Sequence, residues 1–137
     1  MARTALTAVT SVRNGGTALG AGATPDATNG NIYASPGPFK SEVIIHNGDS
    51  SAHTVIVRAG GYQGTAAGAA NSSYVTDQYQ PFAEASAGDL SVSVAATSYT
   101  VLAQLDGDRF AQPDGSLWLD WSASTSMTVW VKQTGTL

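Results

Sequence analysis

The chain has only two imidazole bases, and both flank one short loop: His46 and His53, with Asp49 between them. A hairpin could bring these three side chains together around a metal ion. Their spacing matches no zinc pattern, however, and a third strong ligand would have to come from elsewhere. Polar residues flanking a surface turn are the expected reading. Nucleophilic hydrolysis would need a hydroxyl beside a base that a third group orients. The nearest approach to a nucleophile elbow, Gly48-Asp49-Ser50, lacks the second glycine and the strand-to-helix setting. Asp106, Asp108 and Asp114 suggest a calcium loop, but the glycine and acidic positions do not line up with an EF-hand. Asp-Gly is above all turn chemistry. Ten acidic residues allow many carboxylate pairs across a cleft, and the sequence selects none. The glycine-rich stretches lack the Gly-Lys-Ser/Thr ending of a phosphate cradle. The expectation is a non-enzymatic protein without catalytic residues, metal or cofactor.

Trp118 and Trp130 are a different kind of candidate. On paired strands two outward indoles would stand side by side. They could stack a sugar ring or form an apolar patch for a protein partner. Alternatively, a second sheet or the segment 60–89 covers them within the subunit. In that segment Tyr62, Tyr74, Tyr79 and Phe82 are further interface candidates, since flexible linkers rarely carry so many rings.

The elements that must position these residues are strands. No window repeats apolar residues at helical spacing over three turns, whereas alternation recurs between Gly, Asp, Asn and Pro. Thr4 to Val12 alternates loosely, with Leu6 and Ala8 on one face. Residues 14–31 form a small-residue arm with little to bury. Glu42–His46 is predicted to pair with Thr54–Arg58 across the loop 47–53. That register sets Val43 opposite Val57, Ile45 opposite Val55, Ile44 opposite Ile56 and Glu42 opposite Arg58. Residues 60–89 show no period and contain five Gly, four aromatics and three charges. Structureless loops of this length are uncommon and usually functional or disordered. The segment reads as an arm packing on a neighbour, with a loop over its own sheet as the alternative. Leu90, Val92 and Val94 alternate with serines, and Tyr99, Val101, Ala103 and Leu105 alternate again. A final hairpin is predicted between Ser116–Trp121 and Met127–Lys132. Its inner face pairs Leu117 with Val131, Leu119 with Val129 and Trp121 with Met127. Its outer face pairs Trp118 with Trp130, Asp120 with Thr128 and Ser116 with Lys132.

Composition narrows the class. The 137 residues suit one domain, 1–137, with an N-terminal strand in 1–13 and the C-terminal strands in 90–132. Ala, Gly, Ser and Thr make up 67 positions and charged residues only 12%. A free monomer usually keeps a more charged surface, so small neutral residues suit a protein packed against neighbours, or a secreted β-domain with a Ser/Thr-rich face. There is no cysteine, which excludes a disulfide scaffold. A net charge of -4 argues against nucleic-acid binding, and no apolar run approaches a membrane span. The opening MARTALTAVTSVRN is not read as a signal peptide, because Thr7, Thr10, Ser11 and Arg13 break its apolar stretch. Short strands at this spacing predict an all-β fold, an antiparallel β-sandwich or jelly roll.

Several strings resemble a group of small β-rich virion proteins of tailed bacteriophages that infect actinobacteria. They are MARTALTAVTSVRNGG at 1–16, DATNGN at 26–31, AHTVIVRAG at 52–60, GDLSVSV at 88–94 and DRFAQPDGSLWLDWSA at 108–123. They are spread from residue 1 to residue 123 and cover about two fifths of the chain. This sequence departs from the group between Gly60 and Gly88, where a short Pro-containing connection is usual. The resemblance implies a capsid decoration, or cement, protein on the outside of the major capsid shell, made in the host cytoplasm. It implies the major capsid protein and further copies of itself as partners, most naturally as a homotrimer. No nucleic acid or membrane is expected. A glycan-binding module or a tail or connector subunit is the alternative.

Overall fold

Along Ser41–Asn47 and the first part of Met127–Gln133 every second side chain is withdrawn from water. The computed structural model describes residues 2–34, 41–59, 89–103, 105, 110, 112 and 115–134. They form nine strands: β1 (Thr4–Ala5), β2 (Ala8–Thr10), β3 (Asn31–Tyr33), β4 (Ser41–Asn47), β5 (His53–Val57), β6 (Leu90–Val94), β7 (Ser98–Leu102), β8 (Leu117–Trp121) and β9 (Met127–Gln133). The fold is all-β. One sheet has the order β1-β3-β8-β5-β6 and the other β2-β9-β4-β7. Between them lie Val55, Val57, Leu117, Leu119 and Trp121 from the first sheet and Val43, Ile45, Met127, Val129 and Val131 from the second, all buried. Sheets packed this way stand about 10 Å apart, with interdigitating side chains in the gap.

Both predicted hairpins are corrected. β4 pairs with β7 and β9, whereas β5 pairs with β6 and β8. The loop between β4 and β5 therefore arches from one sheet to the other. Residues 122–126 make a second arch, carrying β8 into β9, and residues 95–97 a third, between β6 and β7. Val43 and Ile45 point inward as the alternation requires, yet their registered neighbours are Leu102 and Val131 for Val43, and Thr100 and Val129 for Ile45. Two strands with apolar central residues can bury them side by side or face to face. Here the chain takes the second course. Consequently Glu42 lies opposite Lys132, at 3.8 Å, rather than opposite Arg58. Asp120 pairs in register with Ile56 rather than with Thr128.

The sheets are mixed rather than purely antiparallel, because the N-terminal segment divides between them. β1 joins β3 in parallel at the edge of the first sheet, and β2 joins β9 in parallel at the edge of the second. Leu6, at the crossing, is buried. The turn at 26–31 fixes this arrangement. Asp26 Oδ1 accepts the backbone N–H groups of Thr28 and Asn29, and its Oδ2 accepts the Thr4 hydroxyl at 2.6 Å. Buried Asn31 donates to the Thr4 carbonyl and accepts from Trp121 Nε1 at 2.8 Å. The small-residue arm also returns to its own domain, where Ala23 exchanges two backbone hydrogen bonds with Val129, at 2.9 and 2.8 Å. Segment 60–88 lies outside the described residues.

Strand β7 turns Leu102 inward and leaves Tyr99 66% and Val101 53% exposed. The arch before it places Thr97, a β-branched residue, at φ 51°, where L-residues with side chains are strained. Thr97→Gly is expected to raise stability by about 0.5–1 kcal/mol, the relief of strain exceeding the added freedom of the unfolded glycine. Urea unfolding would show this as a higher midpoint at unchanged slope.

Candidate functional site

The two tryptophans stand on the outer faces of opposite sheets, so they form no common platform. Trp118, on β8, is flanked by Ile32 of β3 and covered by Arg3, whose guanidinium carbon lies 4.5 Å from the ring centroid. Its Nε1 donates to Ser116 Oγ at 3.1 Å. Arg3 also reaches further along the strand, donating to the Leu119 carbonyl at 3.2 Å and to Asp120 Oδ1 at 2.6 Å. The second oxygen of Asp120 accepts Arg58 Nε at 2.5 Å. Arg58 in turn pairs with Asp89 at 2.7 Å, and Asp89 accepts the Ala59 N–H at 2.8 Å. Two arginines and two aspartates thus neutralise one another in a row, with both side chains of the Arg3–Asp120 pair nearly fully buried. Gly30 makes this possible. Its φ is +77°, and a Cβ there would collide with the Arg3 guanidinium, the Asp120 carboxylate and the Leu119 carbonyl.

On the outer face of the second sheet, Trp130 of β9, Ile44 of β4 and Val101 of β7 form one cross-strand row. The next row is Thr128, His46 and Tyr99. Tyr99 stacks on His46 with ring centroids 4.3 Å apart and lies 6.4 Å from the Trp130 ring, both at 26° between planes. The Trp130 indole donates to the Gly20 carbonyl at 3.0 Å, and its edge fills the space where Gly22 would carry a side chain. Beside it opens a cleft of about 400 Å³, lined by residues 5–9, Leu19, Ala23, Val129 and Val131. The lining is mainly aliphatic and offers no charged group.

His46 and His53 are parted by the arch between the sheets. His46 belongs to the aromatic stack, while His53 Nε2 meets Asp49 Oδ2 at 2.8 Å. Asn47, fully buried, builds the loop that holds them. Its Nδ2 donates to the carbonyls of Ser51 and Val94, and its Oδ1 accepts the Asp49 N–H. Among the described residues no three acidic, histidine or cysteine side chains converge on a point that could hold a metal. Tyr62, Tyr74, Tyr79, Phe82, Asp106, Asp108 and Asp114 lie outside the described residues.

Sequence reasoning missed the charge row. Its partners are 117, 62 and 31 positions apart. One local signal did exist: Asp120 interrupts the core-like run Leu117–Trp121, and a carboxylate in such company requires a cation. Comparison with known protein families, with curated proteins and with solved structures found no match to this chain.

Two outcomes follow from these contacts. Asp120→Ala should cost about 3–5 kcal/mol in urea unfolding, because it leaves Arg3 and Arg58 without the carboxylate they share. Asp26 and Asp49 should make the fold acid-sensitive. The Thr4 hydroxyl and the Asn29 N–H hold the Asp26 carboxyl below its ordinary value of 3.8. The hydrogen bonds from His53 and the Ser50 N–H do the same for Asp49. Between the lowered folded value and the unfolded one, the unfolded chain binds more protons. Stability present above about pH 4 is therefore lost as the pH falls through the folded values, so melting temperature should decline below about pH 4.

Proposed function

We propose that this chain is a structural virion protein that binds the outside of a phage capsid and reinforces contacts between major capsid subunits. The observation that carries the reading is the outer face of the second sheet. There Tyr99 and Val101 are exposed and continue into Ile44 and Trp130, in a chain that devotes only 12% of its residues to charge. A contiguous apolar patch on a low-charge protein favours cover by another protein. The resemblance of several strings to those of phage virion proteins suggests the kind of partner. A cement protein strengthens joints by bridging several subunits, and each contact can be modest because linked contacts act at high effective concentration. Beside the patch Glu42 and Lys132 offset each other's charge, which favours docking of an apolar surface.

A second reading has its own observation. The stack of His46, Tyr99 and Trp130 offers aromatic surface of the kind that sugar rings pack against. Sedimenting the purified protein with empty capsids, and separately with host cell-wall glycans, distinguishes the two. Saturable binding to capsids, weakened by Tyr99→Ala, is expected. Binding to glycans alone, or to neither, would overturn the capsid reading.

A further inference from the structure

The edges of the sandwich are finished unequally. At one side the outer strands are β1 and β2, two and three residues long, added in parallel. Very short edge strands are a common way to blunt a sheet against further pairing. At the other side the outer strands are β6 and β7, five residues each, and among the described residues nothing pairs with their outward edges. Neither strand contains a charge, a proline or a glycine. The two differ in what their outer faces present. β6 shows Ser91 and Ser93 to solvent, so pairing there would cover only hydroxyls. β7 shows Tyr99 and Val101.

We infer that β7 is a self-association edge, and that two copies of this chain join by antiparallel β7–β7 pairing about a two-fold axis at Thr100. The sequence Ser98-Tyr99-Thr100-Val101-Leu102 is self-complementary in that register. Thr100 meets its own copy, and Tyr99 meets Val101 of the second chain twice. Aromatic and β-branched residues are favourable cross-strand partners, and no like charges are brought together. The two most exposed side chains of the strand cover each other, and the four-stranded sheets fuse into one of eight. The row from Trp130 through Ile44 to Val101 then continues into Tyr99 and His46 of the second copy. A two-fold contact is isologous and closes on itself, so it gives a dimer rather than the trimer implied by the family resemblance. Five residues a side place the contact at the small end of specific interfaces, and the dimer is therefore concentration-dependent. The inference draws on the same exposed Tyr99 and Val101 as the capsid reading, but it concerns the protein alone in solution, so the two can fail separately.

Sedimentation equilibrium of the full chain, from low micromolar to several hundred micromolar, should show a monomer–dimer equilibrium. Val101→Lys should leave the circular dichroism spectrum unchanged, since the residue is half exposed, and raise the dimer dissociation constant at least roughly tenfold by setting a charge against Tyr99. Tyr99→Lys provides a second variant should the first disturb the fold. Ser93→Lys on the β6 edge should have no effect. Because the chain lacks cysteine, the register can be tested directly. A mixture of Tyr99→Cys and Val101→Cys, oxidised in air, should give far more disulfide-linked dimer than either variant alone. A monomer at every concentration, a trimer, or a dimer disrupted by Ser93→Lys but not by either lysine on β7 would overturn the inference.

Discussion

The fold depends on one thin layer of small aliphatic side chains gripped from both sides. Val43, Ile45, Val129 and Val131 on one sheet face Val55, Val57, Leu117 and Leu119 on the other, each at most 1% exposed. Such a layer tolerates little error in spacing, because interiors are packed as densely as organic crystals. The polar contacts around it act as spacers. Asn47 fastens one arch to the carbonyls of Ser51 and Val94, and Asn31 ties Trp121 to the N-terminal strands. Tyr33, whose hydroxyl donates to Gln133 at 2.8 Å, joins the first sheet to the second, and its burial raises its pKa.

What the sequence made legible was the inside and the outside of each strand. The alternation of Leu117, Leu119, Trp121, Met127, Val129 and Val131 predicts one inner face, and all six are buried. Which strand lies beside which was not legible. A period of two says which face a residue takes, but a hairpin and an inter-sheet arch satisfy it equally. For these strands the sequence misleads on pairing, and the true pairing dissolves the tryptophan platform by sending Trp118 and Trp130 to opposite faces. Tyr99 and Val101 show a different limit. Their alternation marks a strand, yet nothing local says that the apolar half faces water. The parallel N-terminal strands and the Arg3–Asp120–Arg58–Asp89 row were beyond a local reading, because only tertiary closure brings their residues together.

The two outer faces have different characters. On the first sheet, charge is spent internally: arginines and aspartates satisfy one another, and Arg3 lies across Trp118. That face is occupied by its own chain. On the second sheet, among the described residues, the arm at Gly20 and Gly22 covers the Trp130 end, while Tyr99 is exposed.

The position of β9 has a consequence for how the fold is reached. The last of the described strands along the chain, it lies inside its sheet, between β2 and β4, and not at an edge. During synthesis β4 and β7 both emerge before β9 and can pair, but β2 has no partner until Met127–Gln133 leaves the ribosome. β1 likewise can pair with β3, yet β3 has to wait for β8. Neither sheet can close by growth from one end; both are completed by insertion of late strands between early ones. Such order places the loop-closure entropy of more than a hundred residues ahead of the contacts that offset it. Folding should therefore be slow for a domain of this size, as topologies dominated by distant pairings are. Until β9 arrives, the edge of β4 that it will occupy has no partner. In this protein the interval between translation and closure, more than the finished surface, is when unwanted association threatens.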